Sequence, residues 1–120
     1  MESVAVFHHH IYEYQKGLRN LVLFTCHKDM LDHVNRKLSK YAIPHVIYRV
    51  GENKINVFFG DAVCIEIIEH IAKADLSSYT DEEDFILGIM LGYCRHQQCK
   101  RYLKRKRRNQ CRRELSLQQD

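Results

Sequence analysis

A hairpin pattern between residues 46 and 59 restricts the fold more than any other feature of this sequence. Two runs rich in β-branched and aromatic residues, 46–50 and 54–59, flank a short glycine-bearing turn at 51–53, as expected of a β-hairpin. The chain has 120 residues, which is long enough for one compact domain with a real apolar core and without the support of disulfides or metal.

The segments around the hairpin predict a third strand and two helices. Residues 21–25 are apolar on both faces, which indicates a buried strand. Residues 27–41 place apolar side chains on one helical face, with Thr25 as the expected N-cap. A second helix is expected from an N-cap at Asp61 to about residue 73.

This order predicts an α+β fold with a small three-stranded sheet, β-α-β-β-α, like a ferredoxin-like fold that lacks its fourth strand. We expect the first strand to lie beside the third, the helices to lie on one face, and about five helices in all, the last two C-terminal. One sheet edge is then left unpaired. We expect a single domain over residues 1–104 and a basic extension, either partly disordered or helical, over residues 105–120.

The strongest local signal is a capping box, in which Thr80 and Glu83 satisfy each other's backbone amides. The helix that follows is apolar all round from residue 85 to 93, and such a helix must be covered on all sides. Glycines four residues apart leave bare backbone for close approach of the sheet or of a second subunit. With the open sheet edge, this predicts a homodimer, with these interface candidates: Phe85, Gly88, Ile89 and Gly92.

Charge is strongly segregated along the chain. Residues 1–94 hold nine Lys and Arg against thirteen Asp and Glu, whereas residues 95–120 hold ten against two. If the basic part is a helix, five cations share one face: Arg101, Lys104, Arg105, Arg108 and Arg112. That face could bind nucleic-acid phosphates, an acidic partner protein, or the acidic residues of the protein itself. The fourth interpretation is that the basic terminus only increases solubility.

Three consecutive histidines, His8 to His10, follow an apolar run (residues 4–7) that we expect to be a short strand or an extended lead-in. His8 and His10 are weak candidates for a metal site, because no spacing in the sequence supplies a third ligand. The surrounding residues offer candidates for a ligand or anion site: His9, His10, Tyr12, Glu13, Lys16, Arg19 and Asn20. Packed or solvated histidines are the competing interpretation.

Other patterns exclude functions more than they suggest them. The sequence has no glycine-rich phosphate loop and no nucleophile motif, so we expect no cofactor and incline against an enzyme. Five cysteines at irregular spacing, without a secretory signal, favour reduced thiols in the cytoplasm over a disulfide framework. No apolar run is long enough for a membrane span.

Four strings together resemble an uncharacterised family of small bacterial proteins of unknown function: HHIYEYQKGLRNLVLFT, INVFFG, EEDFILGIMLGY and QCKRYL. The resemblance covers about residues 5–106. It implies three strands, five helices and a homodimer, and no catalytic residues. The resemblance also implies a weak association with flavodoxin genes and flavin electron transfer. Together with the basic C-terminal helix, this makes an acidic redox protein such as flavodoxin a candidate partner. The basic stretch beyond Arg107 departs from the shorter family pattern.

Overall fold

The computed structural model describes residues 2–118, so residues 119 and 120 of the expected extension lie outside the described part. The chain divides into two compact units, Met1–Ser78 and Tyr79–Asp120. The first is an α+β unit around the sheet, and the second is a pair of helices.

The sheet of the first unit consists of β1 (Leu21–His27), β2 (His45–Val50) and β3 (Lys54–Gly60). Its order is β1-β3-β2, and both pairings are antiparallel. The predicted strands, the hairpin and the position of the first strand beside the third are therefore confirmed. Val57 of β3 pairs with Phe24 on one side and Ile47 on the other.

Helices cover both faces of this sheet. Helices α1 (Val4–Gln15) and α2 (Leu31–Lys40) supply Phe7, Ile11, Val34 and Leu38 to one apolar core with alternate residues of β1 and β3. Helix α3 (Ala62–Ile71) lies on the other side, where the buried side chains include Phe58, Ile65 and Ile68. The expectation that the helices share one face is wrong, because β3 alternates buried side chains to both sides and each side needs cover.

Asn56 shows how α3 is tied to that second face. Its side chain is buried, donates to the carbonyl of Ala74 just after α3 at 3.1 Å, and accepts from the hydroxyl of Thr25 at 2.7 Å. Buried amides carry a large cost unless they are paired. Thr25 is therefore a strand residue with a cross-strand partner, and the prediction that it caps the next helix is wrong. A 3₁₀ turn (Lys28–Met30) capped by His27 leads into α2 instead.

The N-terminal segment corrects a second expectation. Residues 4–7 belong to helix α1, whose N-cap is Ser3, and not to a strand or an extended lead-in. Phe7 and Ile11, one turn apart, are its buried positions. Burial of this pair outweighs the strand preference of the valines on either side of Ala5, which remain exposed.

The two sheet edges are treated differently. On β1, the backbone N–H of Glu2 donates to the Thr25 carbonyl at 3.0 Å, and the Glu2 carboxylate accepts from the Thr25 N–H at 3.1 Å. The outer edge of β2 has no strand partner among the described residues. The predicted open edge is therefore the β2 edge.

The second unit contains α4 (Asp81–Met90) and α5 (Arg95–Gln118). The predicted capping box is confirmed, since Thr80 accepts from the Glu83 N–H at 3.1 Å and Glu83 from the Thr80 N–H at 2.9 Å. Gly92 follows α4 at φ +84, a left-handed conformation that ends helices. The five helices expected from the sequence match the count in the described residues.

We predict that Gly60→Ala destabilises the protein by at least about 2 kcal/mol. Gly60 has φ +153, and an added Cβ would meet the Asn20 backbone, which cannot move because the Asn20 carbonyl also accepts from Asp61. Gly51→Ala is the control. Gly51 also has positive φ but open space around it, so only the conformational cost of about 1 kcal/mol applies. Urea denaturation of both variants measures the difference; equal losses would contradict the steric argument.

Candidate functional site

A row of carboxylate–cation pairs joins α4 to the first half of α5. Arg101 binds Asp84 through two hydrogen bonds, from Nε at 2.9 Å and Nη2 at 3.1 Å. This fork-to-carboxylate geometry is the strong form of the arginine–carboxylate pair. The Arg101 hydrogen bonds hold the pKa of Asp84 below its usual value, against the opposing effect of burial.

Arg105 occupies the next turn and bridges two carboxylates. Its Nη1 lies 2.8 Å from an Asp84 oxygen, and its Nε lies 3.0 Å from an oxygen of Asp81, close enough for an ion pair although not aligned as a hydrogen bond. The second Asp81 oxygen accepts from the Asn109 amide at 2.7 Å. Asp81 is buried, so these partners stabilise a charge that water scarcely reaches.

A parallel pair lies nearer solvent. Lys106 Nζ is 2.6 Å from Glu82, and the Tyr102 hydroxyl donates to the same carboxylate at 3.2 Å. The Lys106 contact lowers the pKa of Glu82 and raises that of Lys106. Three of the ten basic residues after residue 94 are therefore paired with α4, as one of the four sequence interpretations anticipated.

Among the described residues, the amide of Asn109 makes the last contact of α5 with α4, and the helix continues beyond it. We call residues 107–117 the distal segment. All of its side chains except Asn109 are exposed. Its four arginines, and Lys104 before it, have no carboxylate within ion-pair distance among the described residues: Arg107, Arg108, Arg112 and Arg113. At 100° per residue, Arg108 and Arg112 continue the line of Arg101 and Arg105, so the predicted stripe is divided by the start of α4 into a paired half and an unpaired half.

An apolar groove of about 540 Å³ runs along the α4–α5 pair. The side chains that line it are Glu82, Phe85, Ile86, Cys99, Tyr102 and Leu103. The Phe85 and Tyr102 rings contact each other with centroids 5.5 Å apart. Ile86 is 42% exposed and Leu103 47% exposed, so the expectation that the apolar helix is covered on all sides does not hold within one chain.

The four predicted interface residues do not form one surface. Phe85 lines the groove, and Ile89 is exposed. Gly88 faces the Gln98 side chain, which occupies the position that a Cβ would take. Gly92 lies after the end of α4. The close approach at Gly88 is therefore made by α5 of the same chain.

The histidine triplet lies on α1, where the helix directs its members apart. His8 Nε2 lies 3.0 Å from His33 Nε2 on α2, whereas His10 contacts Glu2 at 3.2 Å and the Arg19 guanidinium at 3.2 Å. His8 and His10 thus have separate partners. Within residues 2–118, no group of three or more His, Cys, Asp or Glu side chains is arranged to hold a metal ion.

The remaining ligand candidates are distributed around α1. Glu13 contacts His9 at 3.4 Å and His10 at 3.6 Å, and Lys16 Nζ lies 5.5 Å from the centre of the Tyr12 ring. Asn20 uses its backbone carbonyl to accept from Asp61 at 2.8 Å. The structure therefore brings Tyr12 and Lys16 together on one side of α1 and places the His10–Arg19 network on another.

Sequence reasoning missed the partners that come from distant helices. His33, the partner of His8, and Asn109, the partner of Asp81, are ordinary polar residues of helical patterns and carry no local signal.

Cys26 is buried and its pKa is raised to about 11, chiefly by burial, which makes it an inert thiol.

No helix in the described chain has the length and apolarity to cross a membrane.

We predict that Arg105→Gln lowers the free energy of unfolding by about 2 to 3 kcal/mol, since it leaves the buried Asp81 carboxylate without its cation. Lys104→Gln removes a neighbouring exposed cation and is expected to change stability by no more than about 0.5 kcal/mol. Urea denaturation at neutral pH measures both. If the two variants are equally stable, the ion pairs with α4 do not stabilise the second unit.

A family model described as "Protein of unknown function (DUF2023)" matches residues 5–105. No curated protein matches the chain. The match ends at Arg105, the arginine that bridges Asp81 and Asp84, and so leaves the distal segment outside it. The resemblance to an uncharacterised family is confirmed: the chain belongs to the DUF2023 family of proteins of unknown function.

Proposed function

We propose that this protein is a non-catalytic, homodimeric binding module that docks on an acidic partner protein through the distal segment of α5. The observation that carries the proposal is the division of the basic stripe. Arg101 and Arg105 are neutralised by α4, whereas Arg108 and Arg112 on the same line are exposed and unpaired in the described chain. We place the module in the cytoplasm, where its five free cysteines stay reduced.

The paired half of the stripe indicates what the unpaired half would bind. Asp81 and Asp84, one helical turn apart, form ion pairs with arginines that are also one turn apart, Arg105 and Arg101. A partner that presents two carboxylates at similar spacing would extend this row past the start of α4. Arginine suits such pairs because its planar fork matches a carboxylate. An acidic redox protein such as flavodoxin, which the family resemblance implied, has the required chemistry.

The homodimer would form through the apolar groove. On α5, Lys100 and Arg107 flank the groove residues Cys99 and Leu103 on the side away from α4, by helical geometry. Glu82 lies on the α4 side; one of its oxygens is paired with Lys106 and Tyr102, and 53% of its side chain is exposed. A two-fold axis through the groove would place each acidic side against the basic side of the other copy. The surface is thus complementary to itself in charge as well as in apolar character.

The dimer is tested with Ile86→Glu, which we expect to convert a dimer into a monomer, because a carboxylate buried in the apolar groove would lack a partner. Ile67→Glu is the matched control. Ile67 on α3 has the same exposure, 42%, and does not line the groove. Light scattering after size-exclusion chromatography measures the mass. A monomeric parent protein, or a dimer that survives in the Ile86 variant, would contradict this interface.

The docking surface is tested with two double variants of equal charge. Arg108→Gln with Arg112→Gln removes the stripe, whereas Arg107→Gln with Arg113→Gln removes two arginines from other sides of the same helix. We expect the first to weaken flavodoxin binding about tenfold or more at low salt, and the second to weaken it much less. Calorimetric titration of the full chain gives the affinities; no binding of the parent at low salt would reject this partner.

Nucleic acid is the second candidate, because four exposed arginines lie within seven residues of one helix. Phosphates surround a helix in a groove, so each arginine would contribute similarly and binding would fall steeply with salt. The same double variants separate the two functions. Equal loss of binding to mixed-sequence RNA or DNA in both would favour nucleic acid, and loss of protein binding in the stripe variant alone would favour the acidic partner.

A further inference from the structure

A cleft of about 210 Å³ lies between α1 and α2. Helix α1 lines the cleft with four residues of one face, spaced three or four apart: His8, Ile11, Tyr12 and Gln15. Helix α2 contributes Lys37 and its C-cap residue Tyr41. Four kinds of hydrogen-bonding group, an imidazole, phenols, an amide and an ammonium, therefore open into one small space. Ile11 is the buried floor residue that joins the cleft to the core.

The lining is cationic although the first unit as a whole holds equal numbers of acidic and basic side chains, nine of each. No carboxylate of the described chain lines the cleft, and Lys37 has no side-chain hydrogen bond or ion pair among the described residues. Lys16 and Lys40 lie beside it, each 5.5 Å from the ring centre of a lining tyrosine, Tyr12 and Tyr41. Cations of this kind offset the partial negative charge at the C-terminal ends of the two helices.

The pKa of His33 is affected by positive groups in the same region. His33 lies 3.0 Å from His8, and its pKa is lowered first by burial and then by the positive groups around it, His8, Lys37 and Arg36. The neighbouring cations disfavour a bound metal ion and favour an anion in the cleft.

We infer that the cleft between α1 and α2 binds a small oxyanion, a phosphate or carboxylate group, with Lys37 as the principal charge and Gln15, His8 and the two tyrosines as hydrogen-bond donors. The volume suits a compact anion and lies below the about 300 Å³ or more that is typical of pockets for drug-sized ligands. The site belongs to the first unit and is independent of the surface proposed for α5.

The test is a titration of the full chain, labelled with ¹⁵N, with sodium phosphate and separately with sodium acetate, each at constant ionic strength and neutral pH. We expect saturable amide shifts confined to α1 and α2. Lys37→Gln should weaken the apparent affinity about tenfold, and Gln15→Leu should weaken it less. The spectrum itself shows whether each variant remains folded, and the stronger of the two titrations identifies the oxyanion.

Lys28→Gln is the control, because it removes an exposed cation from the turn before α2 that does not line the cleft. Binding that is unchanged in this variant and weakened in the Lys37 variant supports the site. Three results would overturn the site: amide shifts that do not saturate, shifts that fall mainly on the arginines of α5, or an equal loss of affinity in the two lysine variants.

Discussion

Strand β3 is the element on which the first unit depends. It is hydrogen-bonded along both edges, to β1 and to β2, and six of its seven residues are buried. Its odd-numbered side chains meet α1 and α2, and its even-numbered side chains meet the α3 side. The two helices that cover this odd-numbered face are also the two that line the cleft.

In the second unit, ion pairs take the place of a large apolar core. In α4 and its C-cap, only Leu87 and Leu91 are buried apolar side chains, while four acidic residues open the helix at Asp81 to Asp84. All four lie at the α4 N-terminus, where negative charge is favourable. Glu83 caps the helix, and the other three bind cations of α5. The result is a helix pair with an acidic and a basic side and an apolar groove between them.

Much of the fold was predictable from sequence because its signals are local. The hairpin at 46–59, the capping box at Thr80 and the strand order follow from turn chemistry, hydrophobic period and connection rules. Residues 4–7 were misassigned because their strand preference is weaker than the burial of Phe7 against the core. The basic stripe was found by periodicity, but its division at Arg105 depends on where α4 begins in space. The cleft was invisible for the same reason, since Lys37 and Tyr12 are distant in sequence.

The continuity of α5 adds a constraint of its own. The helix runs without a break from Arg95 to Gln118. The directions of the arginines beyond residue 106 are therefore set by the preceding turns, whose side chains bind α4. One inserted residue would leave net charge unchanged if it were neutral, yet it would turn the distal arginines by about 100° away from the line of Arg105. The surface is thus defined by angular phase, and the α4 carboxylates act as the reference that sets that phase.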